Sequence, residues 1–171
     1  MSKSFWSALI VVSVILHAHA STDARRQTGA QESPETAELP AKDKAELIRL
    51  TLERALVDKK IPDYNVIAKQ DSFLLSTENI SAELVPEIKG VKLIPLAPEA
   101  IKERAETDGS YVYYFRFRKF EVEGEKVLVP LDNIPMYAKK PERLAFGGGF
   151  TIEYEKKNGE WVGTEKINWI V

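Results

Sequence analysis

The feature that most constrains the fold is a pair of β-hairpins in the C-terminal half of the chain. Phe150 to Lys156 and Trp161 to Ile170 alternate apolar and polar residues on either side of Asn158-Gly159. Asn-Gly between alternating segments is the strongest short hairpin signal, because both residues tolerate the positive φ angles of a tight turn. Tyr111 to Glu123 and Lys126 to Ile134 flank a glycine in the same way. The sequence therefore predicts a meander of four antiparallel strands.

Two helices and two shorter strands are predicted before and between these hairpins. Ala41 to Lys59 carries apolar residues at i, i+3, i+4 and i+7, which predicts a long amphipathic helix. Pro98 to Asp108 begins with proline at its first position and predicts a short second helix. Ser72 to Ser76 and Val91 to Leu96 are predicted as strands, the latter at a sheet edge because it contains proline. The expected fold is α+β, with the long N-terminal helix packed on a curved antiparallel sheet.

The first twenty residues have the pattern of a secretory signal peptide. Lys3 supplies a positive charge, Phe5 to Leu16 is an apolar run, and Ala18-His19-Ala20 offers small residues for cleavage. The run is too short for a membrane span, which needs roughly 20 apolar residues. We therefore expect residues 1–20 to be removed after export, leaving a periplasmic or extracellular protein with no membrane insertion. An uncleaved N-terminal anchor is the alternative.

The remaining chain divides into a linker and one domain. Residues 21–40 hold one large aliphatic side chain and no aromatic ring, so they cannot bury enough apolar surface to offset the entropy of ordering. We predict a disordered linker there, followed by a single α+β domain over residues 41–171. This length is sufficient for an independent hydrophobic core.

Composition excludes several kinds of chemistry. The chain has no cysteine, and its 2 histidines, His17 and His19, both lie in the predicted signal peptide. The mature protein would therefore lack Ser-His-Asp and Cys-His catalysis and any zinc site built from imidazole or thiolate. We predict no metal and no cofactor. The formal net charge of −2 also argues against a dedicated nucleic-acid binder, which is usually basic.

The order of these segments resembles a known architecture. A long helix followed by long antiparallel strands resembles the cystatin-like or NTF2-like α+β roll. The stretch GGGFTIEYEKKNGEWVG at 147–163, with Trp169 near the end, is similar to the closing hairpin of small exported bacterial proteins of unknown function. The resemblance implies a fold and no catalytic residue. NTF2-like enzymes often use a His/Asp pair, and the mature chain has no histidine to supply it.

The most unusual segment is the aromatic strand from Tyr111 to Phe120. Alternation places its odd-numbered residues on one face, which we predict to be the core under the first helix: Tyr111, Tyr113, Phe115 and Phe117. The other face carries Tyr114, Arg116 and Arg118, a mixture of ring and guanidinium groups that can bind an anion or a carbohydrate. The alternative for these arginines is a set of solvated cross-strand ion pairs. Three glutamates that follow at once would repel nucleic-acid phosphate.

Two further motifs resemble functional sites. Gly147-Gly148-Gly149 opens a strand and lacks the Gly-Lys-Ser/Thr of a phosphate loop, so it predicts a bulge or bend. The carboxylates of the predicted sheet, Asp132, Glu153, Glu155 and Glu165, could in principle serve glycoside hydrolysis without histidine. Glu153 and Glu155 share a face opposite the apolar residues of their strand, and we expect them to face water.

Two functions are compatible with these residues. The first is an exported, non-enzymatic binding or accessory domain whose partner is a protein or a small molecule. The alternative is a His-free NTF2-like enzyme that uses a carboxylate, Tyr114 and Arg116 in a sheet-lined pocket. A deep concavity with a buried carboxylate beside these side chains would favour the enzyme.

Overall fold

A computed structural model of the protein describes residues 39–109, 111–139 and 145–170. The predicted signal peptide and almost all of the predicted linker lie outside the described residues. Leu39, the first of them, already packs against the hydrophobic core. The architecture is α+β, as predicted: one mixed sheet of seven strands with few helices.

The first helix follows the predicted amphipathic segment closely. Helix α1 spans Ala41–Leu52 and continues as a π-helical turn over Glu53–Val57, where the Asp58 amide donates to the Glu53 carbonyl at 3.0 Å. Lys59 adopts a left-handed φ of 58°, which ends the helix two residues earlier than the predicted boundary at that lysine. A short helix α2 follows at Tyr64–Ile67.

The third helix and most strands fall close to their predicted positions, but the predicted strand from Tyr111 to Glu123 is interrupted at residues 118–120 and forms two strands. Helix α3 spans Pro98–Asp108 and ends at Gly109, whose φ of 68° suits glycine. The sheet is built from the following strands: β1 Phe73–Ser76, β2 Leu93–Leu96, β3 Tyr111–Phe117, β4 Glu121–Glu123, β5 Lys126–Tyr137, β6 Gly148–Lys157 and β7 Glu160–Ile170. The Asn158-Gly159 turn joins β6 to β7 with positive φ at both residues, as the hairpin prediction requires.

The prediction of a wholly antiparallel sheet was wrong for its first two strands. The strand order is β2-β1-β3-β5-β6-β7, with β4 paired to β5. Strands β3, β5, β6 and β7 are antiparallel, but β1 runs parallel to both β2 and β3. Parallel neighbours need a crossover, and residues 77–92 and helix α3 provide the two crossovers here. The proline-containing strand β2 does lie at an edge, as expected.

The two faces of the sheet are covered differently. Helix α1 packs on one face through Leu47, Ile48 and Leu52, which join a core that includes Phe115 and Phe117. Helix α3 lies against β1, β3 and β5 and buries Ile101 and Ala105 outside that core cluster, on the opposite face. We call these the α1 face and the α3 face. Tyr111, predicted to be buried, is exposed at the end of β3.

Candidate functional site

Strand pairing brings a carboxylate between the two candidate arginines. Arg116 on β3 lies directly opposite Asp132 on β5, so both side chains project from the α3 face. Arg118 follows β3, and its amide donates to the Pro130 carbonyl at 3.1 Å. This hydrogen bond extends the contact between β3 and β5 as far as Arg118. The two arginines therefore share the face that alternation predicted, and Asp132 joins them because of register alone.

Asp132 is the buried centre of this cluster. Its carboxylate is only 3% exposed, whereas the side chains of Arg116 and Arg118 are 31% and 49% exposed. Arg116 Nη2 donates to Oδ2 at 3.1 Å, and Arg118 Nε lies 3.3 Å from Oδ1. Glu78 Oε2 lies 4.0 Å from Arg116 Nη1, a looser contact on the exposed side. One buried carboxylate thus orients two guanidinium groups whose outer edges reach the surface.

Two buried polar atoms of the cluster have no hydrogen-bond partner among the described residues. They are Arg116 Nε and Asp132 Oδ1. The Arg118 contact to Oδ1 is within ion-pair distance but is not aligned as a hydrogen bond. Buried polar groups are normally satisfied, so these two atoms retain donor and acceptor capacity for a water or a ligand.

Tyr114 lies beside the arginines and is largely buried. It pairs with Ile134 on β5 and lies two residues before Arg116, on the same face of the sheet. Burial raises the pKa of its phenol, Arg116 lowers this pKa, and Glu78 and Asp132 raise it further. Tyr114 is therefore a neutral hydroxyl at the inner edge of the cluster, and it is not a ready proton acceptor at neutral pH.

An indole ring extends the same row across the sheet. Register aligns Arg116, Asp132, Gly149 and Trp169 on four successive strands. A Cβ on Gly149 would lie 2.7 Å from Trp169 Nε1 and 2.6 Å from the Leu131 carbonyl oxygen, so the indole lies over this glycine. Glycine is required there because any side chain would collide with both groups. The indole thus lies over Gly149, the position next to Asp132 in this row.

The glycine triplet therefore has a different local role from the predicted one. Gly148 and Gly149 belong to regular strand pairing in β6, and the irregularity of the hairpin lies opposite, in β7. Ile152 pairs with Glu165 and Thr151 pairs with Ile167, so Lys166 is an extra residue that forms a β-bulge. The bulge reverses the alternation, and Trp161 and Trp169 consequently project from opposite faces.

The other candidate carboxylates are engaged in ion pairs. Glu153 contacts Lys126 Nζ at 3.0 Å and Lys166 Nζ at 3.3 Å, and the hydrogen bond from Lys126 lowers its pKa. Glu165 contacts Arg54 at 3.4 Å on the α1 face. No group of three or more potential metal-ligating side chains occurs within residues 39–109, 111–139 and 145–170.

A separate groove of about 1020 Å³ runs along the first turns of α1. Its lining includes Asp43, Arg49, Leu84, Lys156 and Trp161. The indole of Trp161 donates to Asp43 at 3.3 Å, and Lys156 Nζ lies 4.8 Å from the centre of that ring. These side chains satisfy one another across the groove, so their contacts tie the β6–β7 hairpin to α1.

Sequence reasoning identified Tyr114, Arg116 and Arg118 as neighbours but did not join Asp132 or Trp169 to them. The alternation of residues along β5 could have predicted the face from which Asp132 projects, but not its partners.

The comparisons with known proteins add no relatives: no family model, no curated protein and no solved structure matches this chain. In the part of the chain that the structure describes, no helix combines the length and apolar character needed to cross a bilayer.

Proposed function

We propose that this chain is an exported, non-enzymatic binding domain that recognises an anionic group on a small molecule through Arg116 and Arg118. The observation that carries the proposal is the convergence of both guanidinium groups on the buried carboxylate of Asp132. Preorganised arginines lose little freedom when they bind, and their planar forks match carboxylate and phosphate oxygens. The indole of Trp169 offers a neighbouring surface for a sugar ring or another flat group.

The binding proposal is tested by calorimetric titration of the full chain with three matched probes. Glucuronate and glucose 6-phosphate carry an anion, whereas glucose supplies the same ring without one. We expect heat from the charged probes only, and an affinity at least about tenfold weaker in R116K/R118K, which keeps the charges but loses the forks. Arg104→Lys is the matched control, because Arg104 pairs with Asp108 on the exposed side of α3.

The outcomes separate the proposal from nonspecific charge attraction. Weaker binding in R116K/R118K with unchanged binding in R104K supports the site. Equal binding of glucose, equal loss in both variants, or no heat with any probe would overturn it. Asp132→Asn adds a check on positioning, because it should weaken binding of glucuronate by leaving the two arginines unaligned. Adding R116K/R118K to Asp132→Asn should then weaken the binding no further.

A His-free enzyme is the second candidate, and the buried carboxylate of Asp132 beside Tyr114 is the observation that favours it. Both oxygens of this carboxylate face guanidinium groups, however, and that arrangement orients arginines rather than presenting a carboxyl to a substrate. A product detected by mass spectrometry after prolonged incubation with either charged probe, and absent with Tyr114→Phe, would favour the enzyme.

We also propose export and the finer fold class that the sequence suggested. The cystatin-like or NTF2-like roll is supported by a long helix packed across an antiparallel region of the sheet, and an experimental structure with measured sheet curvature would test it. Export is supported by the pattern of residues 1–20. Mass spectrometry of the secreted protein should find Ser21 at the N-terminus. Retention of residues 1–20 in a membrane fraction would favour the uncleaved anchor.

A further inference from the structure

The three parallel strands end together on one side of the arginine cluster. Strands β2, β1 and β3 run in the same direction, and their last residues are Leu96, Ser76 and Phe117. The chain leaves β1 over the α1 face, where Ile80 and Ile88 join the same core as α1, and it leaves β2 through α3 over the opposite face. Neighbouring parallel strands whose connections leave toward opposite faces open a crevice at their carboxyl ends, and ligands of open sheets bind there.

Glu78 lies at this carboxyl edge, two residues after β1. Its backbone amide donates to Ser76 Oγ at 3.3 Å, and the neighbouring Asn79 donates its side-chain amide to the Phe117 carbonyl at 2.9 Å. The backbone around Glu78 is therefore anchored to both β1 and β3. Its side chain, in contrast, is 49% exposed and approaches Arg116, with Oε2 4.0 Å from Nη1. This distance exceeds a hydrogen bond, so Glu78 can accept from a ligand without giving up a hydrogen bond to Arg116.

The charged groups of the cluster cancel one another when Glu78 is included. Arg116 and Arg118 are positive, whereas Asp132 and Glu78 are negative. Asp132 is buried with both oxygens facing guanidinium groups, so Glu78 is the carboxylate that a ligand can reach. A ligand with an anionic group alone would meet repulsion from Glu78. A ligand that carries a cation as well would turn this repulsion into attraction.

We infer that the ligand is a small zwitterion, which presents its anionic group to Arg116 and Arg118 and an ammonium group to Glu78. This inference rests on the proposed function and adds a second point of recognition to it. An ammonium group has three hydrogen-bond donors and a full charge, which match the exposed oxygens of a carboxylate. Glu78 thereby determines which anions the site accepts.

Calorimetric titration of the full chain with matched sugars tests this inference. Glucose 6-phosphate and glucosamine 6-phosphate differ only in the replacement of one hydroxyl group by an amino group, which is protonated at mildly acidic pH. We expect glucosamine 6-phosphate to bind about tenfold more tightly, because it gains a charge-assisted hydrogen bond. Glucosamine, which lacks the phosphate, should give no heat.

Two variants locate the source of the preference. In Glu78→Gln the two sugar phosphates should bind equally, and the affinity for glucose 6-phosphate should not fall, because a repelling charge is removed. Glu87→Gln is the matched control, since Glu87 is exposed on the same crossover and its loss changes the net charge equally. This control should keep the full preference.

The outcomes distinguish this inference from the proposed function. Equal binding of the two sugar phosphates by the native chain would overturn the zwitterion and leave anion recognition by the arginines intact. A preference that persists in Glu78→Gln, or that is lost equally in Glu87→Gln, would also overturn it, since Glu78 would not be the group that recognises the ammonium. Binding of glucosamine as tight as that of its phosphate, or no heat with any of the three sugars, would overturn both proposals.

Discussion

The hydroxyl oxygens of Thr51 and Tyr154 lie 3.0 Å apart inside the core and join helix α1 to strand β6. Both residues are buried, so no water competes for this hydrogen bond. The contact fixes how α1 lies across the antiparallel strands, because it is a directional bond in an otherwise apolar interface. Nothing in the local sequence around either residue indicates the other as its partner.

Removing one hydroxyl of this pair should destabilise the folded protein. Tyr154→Phe leaves the Thr51 hydroxyl buried without a partner, and we expect the free energy of unfolding to fall by about 1–2 kcal/mol. Urea denaturation of Y154F, T51V and Y154F/T51V forms a double-mutant cycle. The double variant should lose less than the sum of the singles, since neither polar group is then stranded. Strict additivity would contradict a direct hydrogen bond.

Tyr154 should also make stability sensitive to alkaline pH. Burial raises its pKa to about 12, while in the unfolded chain the phenol has the ordinary tyrosine pKa of 10.0. The unfolded state therefore loses the phenolic proton at a lower pH than the folded state does. The contribution of Tyr154 to stability is full below pH 10 and is lost as pH rises through about 12. A loss of about 2–3 kcal/mol is expected across that interval. The difference between wild type and Y154F, measured from pH 9 upwards, isolates this tyrosine, and a difference independent of pH would contradict the prediction.

The close approach of Trp169 to Gly149 predicts strong intolerance of any side chain at that glycine. In Gly149→Ala the new methyl group would meet a backbone carbonyl at 2.6 Å as well as the indole. We expect a loss of about 1–3 kcal/mol and a change in tryptophan fluorescence, because the ring must move. Gly147→Ala is the matched control, since its closest contact is 3.1 Å and its loss should be smaller. Equal losses in the two variants would argue against the indole position.

Asp43 should contribute to stability in a pH-dependent manner. Hydrogen bonding from Lys156 lowers the pKa of its carboxyl, with a further contribution from Trp161. The stabilisation is therefore full above the unfolded pKa and is lost as pH falls through the lower folded value. The stability difference between wild type and Asp43→Asn should shrink on acidification from pH 5. Asp108→Asn, which removes an exposed ion pair with Arg104, serves as the control for loss of a surface carboxylate and should change stability little.

The helices and hairpins could be predicted from sequence because their signals are local. Pro98 and Gly109 mark the two ends of α3 through their own backbone preferences, and Asn158-Gly159 specifies its turn in the same way. The direction of β1 could not be predicted so simply. It depends on crossovers through residues 77–92 and α3, and a short apolar strand carries no information about its neighbours' direction.

The candidate site, like the fold, could be predicted only in part from the sequence. Alternation alone placed Tyr114, Arg116 and Arg118 on one face. Their relation to Asp132 required the register between β3 and β5, which is set by packing along the whole pair of strands. Trp169 joined the row only because one extra residue, Lys166, reversed the alternation of β7.

The sequence by itself therefore determined the α+β class, the main hairpins and the face of the sheet on which the arginines lie. These follow from residue-level preferences and a two-residue period, both of which act over a few neighbours. Only the tertiary structure decided that Asp132 lies buried between two guanidinium groups and that β7, which pairs only with β6 among the described strands, carries a bulge. Those outcomes depend on register between segments distant along the chain, where the packing free energy of the whole sheet selects one pairing among several that local patterns allow.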